Sequence, residues 1–245
     1  MRFNFHGTYL DKDIKIFQLT QEKDLVKICR YLSTNSILLN HVRFEIFDTK
    51  DGKQEADPNH SISRASARFN EMRIYRYWLP NEDPHYSHEI THLVAHTWTK
   101  PYLLNVELDT AYNTKIKKTI EMVSTSFMQE GLAIAVDDIV FKLKLMEDGK
   151  LELIDDWCKG QLDKLPIALK KVINFDGFCS LENKIVVPFA ASLSKYLLQK
   201  FGIDRYKEMY IQLKETVSPE VNVKIIESVY KLNEDKILSQ WRKSI

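Results

Sequence analysis

The pattern of apolar and polar positions changes character near residue 100. Before that point it mixes two periods. Between Glu22 and Leu32, the residues Leu25, Ile28, Cys29 and Leu32 recur at spacings of three and four, which places them on one face of a helix. From His41 to Phe47, Val42, Phe44 and Ile46 alternate with His41, Arg43 and Glu45, the period of a strand with one buried face. Asp48 to Asn59, rich in Asp, Lys, Gly and Pro, reads as a solvated loop. Ser61 to Phe69 and Met72 to Trp78 are two further strand candidates. Only a tight turn fits between them at Asn70-Glu71, so they are expected to pair as a hairpin. Asp83 then offers a capping side chain and Pro84 a preset φ, which predicts a helix from about Pro84 to Thr99, ending before Pro101.

Beyond residue 100 the helical period dominates. Ile116 to Val140 is a long stretch with a break near Ser124 to Ser126, and Asp155 to Leu162 and Ile167 to Ile173 are shorter ones. Phe189 to Phe201 stops at Gly202, and Asp204 to Leu213, Pro219 to Leu232 and Asn233 to Lys243 complete a helical tail. The expected class is α+β. Residues 1–100 form an N-terminal subdomain with a mixed sheet and helices, and residues 101–245 a mostly α-helical C-terminal subdomain.

Composition narrows the function classes. Lys and Arg number 35 and Asp and Glu 34, a net charge of +1, which lacks the basic footprint of a nucleic-acid binder. Hydrophobic residues make up 44% of the chain, enough to build a core and too many for a disordered protein. No apolar run reaches the ~18 residues that span a bilayer. The opening MRFNFHGTYLDKDIKIF lacks the apolar core of a signal peptide, so the expectation is a soluble protein, cytoplasmic by default, with export after signal removal left open. Cys29, Cys158 and Cys179 are odd in number and widely spaced, and read as buried reduced thiols rather than a disulfide framework or a thiolate zinc site. Nothing in the pattern signals a dimer.

The candidate chemistry lies in the helix expected after Pro84. Residues 88–92 read His-Glu-Ile-Thr-His. On a helix, residues i and i+4 share a face, so two imidazoles can converge on one zinc ion at ~2.0–2.1 Å. Glu89 follows the first histidine and points aside, where it can take a proton from a water without binding the metal. Catalytic zinc needs a third protein ligand and an open position. A histidine ten residues after His88 is excluded, because that position is Trp98. Glu130 is the candidate: a lone carboxylate among Phe127, Met128, Leu132, Ala133, Ile134, Ala135 and Val136, where an unpaired charge costs several kcal/mol. Gly131 beside it would admit a second helix at close range. His96 is read as a packed histidine, since a straight helix carries it past an ion held by His88 and His92. His85 reads as an exposed histidine of the first helical turn, with a place at the mouth of the site as the alternative.

HEITH at 88–92 followed by QEGLA at 129–133 resembles the gluzincin branch of the zincin metallopeptidases, and within it the peptidase-MA-like proteins. Ala190-Ala191-Ser192-Leu193-Ser194-Lys195-Tyr196-Leu197 resembles a later helix of that family, and Trp241 suits its ending. The resemblance implies a zincin-like fold, one zinc ion, and hydrolysis of peptide bonds in a peptide or protein substrate. It implies His88, His92 and Glu130 as ligands and Glu89 as the base. It also implies a sheet edge beside the cleft, from residues 61–69 or 72–78, on which substrate backbone adds as a strand. Two positions depart from the family. Ile134 replaces an acidic residue that orients a ligand histidine, a role open to Asp137 or Asp138. Val187 replaces a tyrosine, which leaves the transition-state stabiliser among Tyr86, Tyr196 and His85. The alternatives are an inactive zincin-fold binding module and a structural zinc site closed by His96.

Overall fold

The computed structural model describes residues 1–35, 41–60, 63–68, 71–98, 124–147, 150–165 and 168–245. Over these residues the chain is an α+β protein, with one four-stranded mixed sheet, one two-stranded ribbon and ten helices. It divides into two compact units, Met1–His96 and Thr97–Ile245.

The first unit opens with a strand that the apolar pattern did not assign, β1 (Arg2–His6). Phe3 and Phe5 meet Phe17 edge-on at 6.3 and 5.8 Å, and Phe3 stacks on Phe44 at 5.0 Å. Phe17 belongs to α1 (Asp11–Tyr31), which starts well before the expected Glu22. Its early turns bury Phe17, Gln21 and Asp24, so polar residues on the inner face hide the helical period there. β2 (Arg43–Phe47) runs parallel to β1 and to β4 (Arg73–Tyr77), while β3 (Ala65–Arg68) runs antiparallel to β4. The expected hairpin pairing is present, with Ala65 opposite Arg76 and Arg68 opposite Arg73. The turn residues 69 and 70 lie outside the described residues. The sheet order is β1-β2-β4-β3. Strand β4 is therefore interior, which removes 72–78 as an edge; among the described residues β3 holds that place.

The stretch read as a solvated loop, Asp48 to Asn59, is corrected. It contains α2 (Lys50–Ala56), capped by Thr49, whose hydroxyl accepts from the Gly52 N–H at 3.1 Å, and then a 3-10 turn at Pro58–His60. The helix buries no aliphatic side chain; the residue it buries is Lys53, 1% exposed. No apolar period exists there to be read. Beside it Asp57 is fully buried, pairs with Arg68 at 2.7 Å, accepts a hydrogen bond from Ser66, and lies 3.7 Å from Lys53 Nζ.

The core of the second unit is the pair α4 (Ser126–Phe141) and α7 (Asn183–Phe201). Gly131 makes it possible: a Cβ there would sit 2.5 Å from the Ala190 carbonyl oxygen and 2.6 Å from Ser194 Oγ. Phe189 joins Phe127 at 5.3 Å and Trp241 at 4.9 Å, so one ring links three helices. α4 begins at Ser126, and residues 116–123 of the longer helix expected there lie outside the described residues. Its first N–H and that of Phe175, at the start of α6 (Phe175–Cys179), both donate to the Glu215 carboxylate, at 2.5 and 2.7 Å.

α7 begins at Asn183, not Phe189, and carries Pro188 inside it. Proline has no N–H, so the Lys184 carbonyl one turn back loses its helical donor. The indole of Trp157, on α5 (Ile154–Lys159), donates to that carbonyl at 2.8 Å instead. The hairpin β5 (Leu145–Glu147) and β6 (Lys150–Glu152) is the ribbon, an element the helical pattern left out. The expected helix at 167–173 is a 3-10 turn, Leu169–Lys171, with Ile167 outside the described residues. α8 (Ile203–Gln212), α9 (Pro219–Tyr230) and α10 (Glu234–Arg242) follow the pattern to within a few residues. Cys29 and Cys158 are buried, but Cys179 is exposed, contrary to the reading of three buried thiols. Among the described residues no helix is long and apolar enough to cross a membrane.

Candidate metal centre

His88, Glu89 and His92 lie on α3 (Ser87–His96) in the first unit. Ile90, Leu93, Val94 and Ala95 are buried, so the helix is anchored by its apolar residues. It starts at Ser87, three residues after the expected Pro84. The Pro84 carbonyl is taken by the Gln21 amide and by Arg76 at 2.8 Å, and Asp83 turns its carboxylate to the His85 N–H at 2.9 Å rather than capping the helix.

The two imidazoles meet at right angles, with Nε2 atoms 3.0 Å apart. Two nitrogens bound to one zinc at ~2.0–2.1 Å in a tetrahedral arrangement would be about 3.3 Å apart. The pair is therefore set, within a few tenths of an ångström, for a shared ion. The same separation also fits a direct hydrogen bond between a neutral donor ring and an acceptor ring. His92 is buried, while His88 and Glu89 are half-buried. The charge of Glu89 acts on the ammonium of Lys53, a residue the sequence reading passed over. His96 is buried on the last turn of α3.

His85 does not belong to the helix. Its Nδ1 lies 2.8 Å from Asp24, a fully buried carboxylate of α1. Burial raises the Asp24 carboxyl above its ordinary range, and the His85 contact works against that rise. Arg76 is also buried, which lowers its guanidinium to about 10; it lies over the Tyr86 ring at 4.6 Å and grips the carbonyls of Asp83 and Pro84. Gln21, Asp24 and Arg76 thus hold the four residues that lead into α3. Asp24 had one legible sign: it is an acidic residue on the helical face that carries Phe17, Leu25 and Ile28. Arg76 had the same kind of sign, a charge on the strand face that carries Met72, Ile74 and Trp78, whereas Lys53 had none.

Glu130 lies in the second unit, half-buried on α4 among buried Phe127, Met128, Leu132 and Ala133. Burial first, then Tyr206 and the Glu130 charge, push the Tyr210 phenol well above its ordinary range, so Glu130 shares its surroundings with the buried end of α8. No family model matches the chain, and no curated protein matches it. Two further candidates in this unit, Asp138 and Tyr196, have partners of their own. Asp138 pairs with Lys195 Nζ at 2.5 Å, and the same nitrogen pairs with Asp155 at 2.7 Å. Asp137 is half-buried beside it. The Tyr196 hydroxyl donates to Gln240 of α10 at 2.9 Å.

Proposed function

We propose that this protein is a zinc metallopeptidase in which His88, His92 and Glu130 hold one ion and Glu89 is the general base. The observation that carries the reading is the histidine pair of α3, whose nitrogens converge at close to the separation one tetrahedral ion requires. The donor chemistry fits zinc: two imidazoles and a carboxylate form a common three-ligand set for a catalytic site. His88, His92 and Glu130 are a group of described side chains that could hold such an ion. The two histidines come from one compact unit and the carboxylate from the other, so their meeting is part of the proposal.

Zinc, when bound, lowers the pKa of a water and polarises a carbonyl. The residues do the rest. Glu89, next to His88 on the helix and not itself a ligand, accepts a proton from the attacking water and passes it to the departing amine nitrogen. The clamp of Gln21, Asp24 and Arg76 on residues 83–85 sets the rotation of α3 and therefore the direction of all three side chains. Strand β3 lies against α3 and is the sheet edge on that side, where an extended peptide can add as a further strand.

The test measures zinc content and cleavage of an unstructured protein by the wild type and by Glu89→Gln. Equal zinc in both with turnover in the wild type alone is expected. Zinc without turnover in the wild type would leave a binding module instead. Loss of zinc in His96→Ala but not in Glu130→Ala would replace the ligand set with a structural one.

A further inference from the structure

One face of the edge strand is locked by a single buried carboxylate. Ser66 and Arg68 alternate with Ala65 and Ala67 along β3, and both reach Asp57: Ser66 through its hydroxyl, Arg68 through Nε at 3.2 Å and Nη2 at 2.7 Å. His60 Nδ1 approaches the same carboxylate at 3.3 Å. Lys53 completes the group. Its ammonium lies 3.7 Å from Asp57 and donates to the His60 carbonyl at 2.6 Å and the Ser63 hydroxyl at 3.3 Å.

Two observations connect this cluster to α3. β3 packs on α3 and is the last strand of the sheet there among the described residues, and the Lys53 ammonium feels the charge of Glu89. The cost of the cluster also bears on its purpose. A fully buried Asp–Lys pair seldom repays its desolvation when an apolar pair could fill the same space. What it supplies is a fixed geometry: side chains of the turn and of β3 converge by hydrogen bonds on one acceptor, and the α2 ammonium pairs with it at 3.7 Å. A short four-residue edge strand is otherwise free to fray and to slip its register.

We propose that Asp57, assisted by Lys53, is a positioning residue that holds β3 in one register so that an extended peptide several residues long can pair with its edge. This rests on the peptidase reading for the identity of the ligand, but not for its test. An edge strand fixed in advance lowers the ordering cost of the incoming strand. The benefit grows with the length of peptide that lies along the edge, and a ligand too short to reach β3 gains nothing.

The experiment uses the full chain loaded with zinc and two probes, fluorescently labelled unfolded casein fragments and an N-acyl dipeptide amide. Binding of the long probe is read by fluorescence anisotropy in a Glu89→Gln background, so turnover is not required. Asp57→Asn and the milder Ser66→Ala are compared with their parent, with circular dichroism and zinc content confirming that each is folded and loaded. The expected result is a loss of about tenfold or more in long-probe affinity for Asp57→Asn, a smaller loss for Ser66→Ala, and no change for the dipeptide. In the catalytic background the same change should fall on KM and leave kcat alone. Equal loss for both probes would mark the cluster as a general stabiliser and overturn the proposal, and so would no loss for either, or no long-probe binding in the parent. If the wild type turns nothing over while Asp57→Asn still weakens long-probe binding, the peptidase reading fails and this inference stands.

Discussion

Pro188 and Trp157 offer a quantitative check on the frame that carries Glu130. Proline inside α7 removes the donor for the Lys184 carbonyl, and the Trp157 indole supplies it from α5 at 2.8 Å, with Gln161 Nε2 more distant at 3.4 Å. Replacing Trp157, which is only 6% exposed, by Phe keeps an aromatic ring but removes the N–H. The carbonyl is then served only by the longer Gln161 contact, and an under-satisfied buried acceptor costs ~1–3 kcal/mol. The smaller ring adds about 1 kcal/mol for lost volume. The sum, roughly 2–4 kcal/mol, corresponds to a fall in Tm of roughly 4–16 °C for a chain of this size. The origin of that loss is tested by a double-mutant cycle with Pro188→Ala. Alanine restores an N–H one turn after Lys184, so the hydrogen-bond part of the Trp157→Phe cost should vanish in that background while the volume part remains. Urea unfolding followed by circular dichroism at 222 nm measures all four corners without relying on tryptophan emission. A coupling energy of about 1 kcal/mol or more is expected. The same cost in both backgrounds would show that the indole does not replace the missing helical donor.

Other consequences follow from the same geometry. Gly131→Ala places a methyl group 2.5 Å from the Ala190 carbonyl, and separating α4 from α7 to fit it should cost at least ~1–3 kcal/mol in a thermal melt; an unchanged Tm would refute the close approach. Glu215→Ala leaves the N–H groups of Ser126 and Phe175 without their shared acceptor and should cost ~1–2 kcal/mol by urea denaturation, with Glu215→Gln losing less. Burial alone would raise the Asp57 carboxyl, but hydrogen bonds from Ser66, Arg68 and His60 hold it below its ordinary 3.8. Its stabilisation is thus complete above that value and is lost as the pH falls beneath it, so wild-type urea midpoints should fall more steeply than those of Asp57→Asn between roughly pH 5 and 2.5, and parallel slopes would refute the assignment. Zinc at about a hundred times its Kd should stabilise the wild type by ~2.7 kcal/mol and leave His88→Ala unmoved, as read by the shift in Tm.

What the sequence determined by itself is what nearest neighbours encode. The helix of His88 to His92, the convergence of its two imidazoles and the helical tail follow from periods of three and four, which any chain segment carries locally. The role of Gly131 was legible for the same reason, since a missing side chain marks a close approach whatever arrives there. Tertiary structure alone decided the rest. Asp24 meets His85 across 61 residues of chain, and Trp157 answers Pro188 through a carbonyl 27 residues away. The edge position of β3 depends on β2 entering the sheet on the far side of β4. The Asp57–Lys53 cluster left no trace in the apolar pattern, because the positions it buries are charged, and a charge is tolerated inside only once distant partners have closed around it.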